Sequence, residues 1–171
     1  TSSFACAIGS PATSNSITQL VNALPSAPVL TATALAVCSP STIEVSADVT
    51  TGLNWSNNTT GSNVIVSSVG PQLLTATYTD AYGCVSAPAL PVVVTIYPQN
   101  ITSITSSNNA NLCPGTVVTL TSSSAINNVW STGDVTSTIS ASTAGQYSLT
   151  NVDANGCMSV SDVTVIEQPA P

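Results

Sequence analysis

The stretch Val152-Asp153-Ala154-Asn155-Gly156-Cys157 puts a carboxylate, a turn-forming dipeptide and a thiol side by side, and Thr79-Asp80-Ala81-Tyr82-Gly83-Cys84 is its near copy. Such a grouping could hold a metal ion, present a reactive thiol, or close a hairpin corner. The rest of the inventory discriminates among the three. There are five cysteines (Cys6, Cys38, Cys84, Cys113, Cys157) and seven acids (Glu44, Asp48, Asp80, Asp134, Asp153, Asp162, Glu167), with no Lys, Arg or His. Zinc lacks both a histidine and a C-x-x-C pair. A nucleophilic thiol lacks a base to activate it, Schiff-base chemistry lacks a lysine, and no cation can clamp a phosphate or oxyanion. Calcium takes about six to eight oxygens with several carboxylates converging, whereas each corner supplies one acid. The expectation is a non-enzymatic chain with no catalytic residue, metal or cofactor. At the corners Asp80 and Asp153 should accept backbone N–H groups, and Gly83 and Asn155-Gly156 should adopt turn conformations. Five cysteines in an exported chain are expected to form structural disulfides.

The charge balance narrows the partners. A net charge of −7 without a single basic residue excludes nucleic acid, whose phosphates need Lys and Arg, and removes attraction to anionic lipid. No run reaches the roughly 18 apolar residues of a membrane helix, and no basic n-region marks a signal peptide, so no direct membrane insertion is expected and Thr1 reads as the start of a fragment. A surface without lysine or arginine offers trypsin-like proteases no cleavage point, which suits exposure outside a cell. With 43% hydrophobic residues, mostly Val, Ile, Leu and Ala among Ser and Thr, and 11 prolines, the chain favours short strands over helices.

Landmarks recur along the chain. Cys38 and Cys113 are 75 residues apart, as are Trp55 and Trp130, while Cys84 and Cys157 are 73 apart. The slip of two falls between Gly70 and Asp80 and reads as a loop-length difference within one repeated fold. Repeats are assigned to 28–98 and 99–171, and 1–27 to the tail of a preceding repeat plus a linker, with Phe4-Ala5-Cys6 at the corner position. Alternation and turn residues predict strands at Val29–Val37, Ile43–Val49, Leu53–Ser56, Val64–Ser67, Leu73–Thr79 and Pro91–Tyr97. The second repeat gives Ile101–Ser106, Thr116–Ser122, Val129–Ser131, Ser137–Ala141, Gln146–Val152 and Val160–Glu167. Short strands at this density, with Trp55 or Trp130 on the third, point to all-β, tandem immunoglobulin-like β-sandwiches arranged end to end, with both indoles in the cores. The short linker Tyr97-Pro98-Gln99-Asn100 restrains the junction. Tyr82, at the tip of the first corner, is the better candidate for an external contact.

These residues resemble a known repeat type. Cys113-Pro114-Gly115, Trp130-Ser131-Thr132-Gly133, Ala144-Gly145-Gln146-Tyr147 and Asp153 to Cys157 follow the pattern of the Ig-like and PKD-like tandem repeats of Bacteroidetes cell-surface proteins, including SprB-type gliding adhesins. The first repeat fits more loosely: Trp55-Ser56 and Asp80 to Cys84 match, Val69-Gly70 replaces Ala-Gly, and Leu74 stands near the tyrosine. The resemblance implies an extracellular, type IX-secreted surface protein with a role in gliding or attachment. Its expected partners are neighbouring repeats of the same chain, with surface polysaccharide or other cell-surface proteins as external ones. An accessory stalk or glycan-binding module of a secreted hydrolase is the alternative.

The disulfide pairing stays open at this level. Immunoglobulin cysteines lie mid-strand and face each other across the core. Here Cys38 and Cys113 precede the second strand of their repeats, whereas Cys84 and Cys157 follow the penultimate one. Those two strands run the same way, so the cysteines sit at opposite ends of a sandwich. A seven-residue strand spans about 23 Å, and bridged Cα atoms must approach within about 7 Å. Stacking instead allows Cys38 to reach Cys157, leaving Cys113 for a downstream repeat and Cys84 and Cys6 for upstream ones. Self-sufficient repeats would favour Cys38–Cys84 and Cys113–Cys157.

Overall fold

The computed structural model describes residues 21–169; the expected tail of a preceding repeat and Cys6 lie outside them. Strands follow one another as β1 (Leu30–Ala32), β2 (Ala36–Cys38), β3 (Ile43–Ala47), β4 (Leu53–Trp55), β5 (Asn63–Val66), β6 (Gly70–Leu74), β7 (Ala76–Tyr78) and β8 (Val92–Tyr97). The second series is β9 (Ile104–Ser106), β10 (Asn111–Leu112), β11 (Val118–Ser122), β12 (Asn128–Trp130), β13 (Thr138–Ala141), β14 (Gly145–Val152) and β15 (Met158–Glu167). Each series folds into two facing layers, one of which in the first series is made of two separate sheets. In the first, β1-β3-β5 opposes β2-β8-β6 and the pair β4-β7; in the second, β9-β11-β13 opposes β10-β15-β14-β12.

Period-2 alternation explains which side chains go inside. Ile43 and Val45, Leu53 and Trp55, and Val64 and Val66 point inward on alternate positions and build one core with Leu74, Ala76, Val94 and Ile96. A separate core gathers Val118, Leu120, Trp130, Ile139, Ala141, Tyr147, Leu149 and Val165. Both indoles are buried, and each ties down the connection that follows its strand: Trp55 Nε1 donates to Gly61 O at 2.9 Å and Trp130 Nε1 to Thr136 O at 2.8 Å. Tyr147 donates its hydroxyl hydrogen to Thr143 O, four residues back, at 3.0 Å, a tyrosine corner of the kind found in immunoglobulin-like sandwiches.

Three sequence expectations are corrected. The first strand of each repeat, expected as one piece at Val29–Val37 and Ile101–Ser106, is two pieces on different sheets. β1 pairs antiparallel with β3, then the chain crosses over and β2 pairs parallel with β8; β9 and β10 repeat this with β11 and β15. The second crossing is made by the turn Ser107–Ala110, where Asn108 and Asn109 take positive φ, a conformation asparagine tolerates. Second, the segment Leu73–Thr79 is broken at Thr75, so that β6 pairs with β8 while β7 pairs with β4. Third, the two-residue slip is not between Gly70 and Asp80. Trp55 pairs with Ala76 as Trp130 pairs with Leu149, and Leu74 pairs with Val92 as Tyr147 pairs with Val163. The extra residues therefore lie before Gly70, in the connection from β5. Leu74 occupies the core position of Tyr147, and Gly70 is not the counterpart of Gly145.

Gly52 immediately precedes β4 at φ +71°, and a Cβ there would collide with the carbonyl oxygen of Thr79. That same approach lets Thr79 N donate to Gly52 O at 2.8 Å. Gly52→Ala is expected to cost about 2 kcal/mol through strained φ and the backbone clash, read as a lowered midpoint in urea unfolding with an unchanged slope.

Candidate functional site

The chemistry-bearing residues gather at the junction between the sandwiches. Cys38 ends β2, beside Tyr97, the last residue of β8, and Ser39 N donates to Tyr97 O at 2.9 Å. Cys38 is thereby held where the chain leaves the first sandwich, next to the Tyr97-Pro98 step. Cys157 begins the return from β14 to β15, at the leading end of the second sandwich. The two form a disulfide with Cα atoms 5.6 Å apart across 119 residues of sequence. The pairing is between repeats, and the intradomain alternative fails for Cys38 and Cys157. Cys84 and Cys113 are free thiols, the first half-buried and the second exposed.

Both corners are built alike. Asp153 Oδ1 accepts from Asn155 N and from Cys157 N, each at 2.8 Å, while Asp153 N donates to Cys157 O at 3.0 Å. Asp80 Oδ1 accepts from Tyr82 N and Cys84 N at 2.9 Å, and Asp80 N donates to Cys84 O at 3.0 Å. Gly83 and Gly156 share a φ of +82°, which glycine adopts without steric cost. Each carboxylate thus fixes the backbone of the cysteine four residues on. Asp153→Ala strips two charge-assisted bonds from a half-exposed corner and is expected to cost about 1–3 kcal/mol. Asp153→Asn, which keeps an acceptor, should recover most of that in a thermal melt.

Beneath the second corner lies a polar network that sequence reasoning missed. Asn128 and Asn151 are 1% and 3% exposed, both on the inward phase of their strands. Asn151 Nδ2 donates to Ile126 O, Asn127 O and Asn128 Oδ1, and Asn128 Nδ2 donates to Ser124 O. From the linker, Asn100 Nδ2 donates to Asn151 Oδ1, to Asn151 O and to Cys157 O, the last two at 3.2 and 3.0 Å. Thr102 adds bonds to Ser159 and Ser161. The first residues after the linker are thus fastened to the corner that carries the disulfide. The available signal was an asparagine on the inward phase of an alternating strand, where burial demands partners.

Trp55 and Trp130 sit buried in the cores, and Tyr82 projects at 76% exposed from the first corner. The geometry can anchor one sandwich to the next covalently and by hydrogen bonds. Among the described residues no three His, Cys, Asp or Glu side chains group as metal ligands, and no helix is long and apolar enough to cross a membrane.

No protein-family model matches this chain, and no curated protein matches it. Among solved structures it is similar to the fibronectin(III)-like modules of Clostridium thermocellum CbhA, at 12% identity and a TM-score of 0.35, over 81% of this chain and 94% of that one. It is also similar to a structure from a 1.5-MDa bacterial ice-binding adhesin, at 14% identity and a TM-score of 0.35; 82% of this chain is covered, and it spans 63% of that chain.

Proposed function

We propose that this chain is a non-enzymatic stalk segment of an extracellular cell-surface adhesin, transmitting load along a row of sandwiches and holding a distal adhesive region away from the cell. The observation that carries the reading is the Cys38–Cys157 bond between the trailing end of one sandwich and the leading end of the next. A disulfide persists in an oxidising compartment, and a covalent tie between successive repeats serves tension rather than catalysis. The corner and Trp motifs resemble those of SprB-type repeats, and on that resemblance the protein reaches the surface by type IX secretion and acts in gliding or attachment. Neighbouring repeats are its direct partners; polysaccharide or surface proteins would be contacted by the adhesive region.

Solution scattering combined with single-molecule pulling tests this. A compact globule of this length has a radius of gyration of about 16 Å, and the oxidised chain is expected to exceed it clearly. Pulled from its ends, the oxidised chain should withhold the ring closed by the disulfide. Reduction should release roughly 400 Å of extra contour, at about 3.4 Å per residue. A compact radius, or equal contour with and without reductant, would defeat the stalk reading. Specific retention on a glycan array would favour a binding module instead.

A further inference from the structure

Two cysteines remain unpaired in a molecule whose other two described cysteines are bonded, and each free thiol is the repeat counterpart of a bonded one. Cys113 corresponds to Cys38. Its neighbours Asn111 and Leu112 pair parallel with Ile166 and Glu167, as Ala36 to Cys38 pair with Thr95 to Tyr97. That register sets Cys113 beside Gln168, whose N donates to Leu112 O at 2.9 Å. Pro169 follows Gln168 as Pro98 follows Tyr97, so Cys113 stands at the trailing end of the second sandwich. Cys84 corresponds to Cys157, held by Asp80 as Cys157 is held by Asp153. The bonded pair shows what a trailing-end thiol and a corner thiol do when two such sandwiches meet.

We infer that Cys113 and Cys84 are the two complementary halves of the same inter-repeat bond. Cys113 bonds the corner cysteine of a sandwich that follows, and Cys84 bonds the trailing-end cysteine of one that precedes. The partner on each side is another repeat of this kind, and the junction between the two sandwiches is one rung of a disulfide ladder. The inference rests on the stalk reading and extends it by naming the residues that propagate the cross-link. Closing a rung joins two thiols through a new S–S bond and releases two protons and two electrons. A small-molecule disulfide accepts the electrons, its own S–S bond breaking to give two thiols. Because a trailing end meets a leading end, the contact is head-to-tail and open-ended.

The isolated chain can report on this once Cys6 is replaced, since among the described residues the complementary partner for Cys113 is then Cys84 of a second copy. The chain carrying Cys6→Ser would be incubated at high concentration with oxidised glutathione and its linked peptides mapped by mass spectrometry after digestion with a protease that does not need Lys or Arg. The expected product is a ladder of oligomers joined by Cys84–Cys113 links, in roughly tenfold excess over Cys84–Cys84 and Cys113–Cys113 links together, because docking raises the effective concentration of the matched pair. In guanidinium the links should revert to random proportions. Adding Cys113→Ser should stop the ladder at dimers. Random proportions under native conditions, or glutathione adducts in place of inter-chain links, overturn the inference. Neither outcome alters the expected radius or the contour released from the Cys38–Cys157 ring, so the stalk reading is judged separately.

Discussion

Reducing the bond between Cys38 and Cys157, or replacing both residues in Cys38→Ala/Cys157→Ala, is expected to lower the stability of the chain by about 3–5 kcal/mol. The bond closes a ring spanning 119 residues of sequence. In the loop-entropy picture a ring of that size restricts the unfolded chain by close to 5 kcal/mol, and the short linker and native-state strain bring the usual figure lower. For a chain of this length the loss corresponds to a fall of roughly 6–20 °C in the melting temperature. Calorimetry with and without reductant measures it, and the double variant should not respond to reductant. Cys157→Ala alone should match the double variant closely, whereas Cys38→Ala alone should lose less, because Cys157 is 1% exposed and only its own replacement leaves a gap. A shift below about 2 °C would mean that the cross-link sets orientation without restricting the unfolded state.

Trp130→Ala should be of similar size. Trp130 is 2% exposed in the middle of the second core, and removing a buried indole costs about 3–5 kcal/mol through lost burial and the cavity left behind. Thr136 O also loses the indole N–H that satisfies it. The two cores share no residue, so the loss should fall on the second sandwich alone. The chain has two tryptophans, which makes this measurable: in the reduced variant, Trp55 fluorescence becomes a reporter of the first sandwich only. Its transition should stay close to that of the reduced parent, while circular dichroism gains an earlier one. If Trp55 reported the earlier transition too, the sandwiches would unfold as a single unit. Trp130→Phe keeps most of the volume and should lose appreciably less.

Much of the sandwich was legible because the buried strands alternate cleanly. Ile43-Glu44-Val45, Leu53-Asn54-Trp55 and Val118-Thr119-Leu120 each send one face inward, and a period of two is visible in the letters. The switch of the first strand between sheets was not legible at Thr33 to Leu35, since no glycine, proline or asparagine interrupts that stretch and the apolar run Ala34 to Val37 reads as its continuation; pairing partners, not propensity, decide it. Letter matching also misplaced the slip, aligning Val69-Gly70 with Ala144-Gly145 although the hydrogen-bond register sets Leu74 at the place of Tyr147. Of the junction, the cysteines could be put at opposite ends of a sandwich from strand direction alone, which left two pairings standing until distances chose between them. The asparagine network escaped because asparagine in a β-protein reads as a turn former, and only burial reveals Asn128 and Asn151 as structural.

The Cys38–Cys157 bond has one more effect, which concerns damage. The residues between the two cysteines form a closed covalent circuit, and it encloses the whole first core and all of the second except Val165. A single cut in the backbone anywhere inside that circuit, including at the linker, opens the ring without separating what lies upstream from what lies downstream. The chain tolerates one proteolytic nick and stays in one piece.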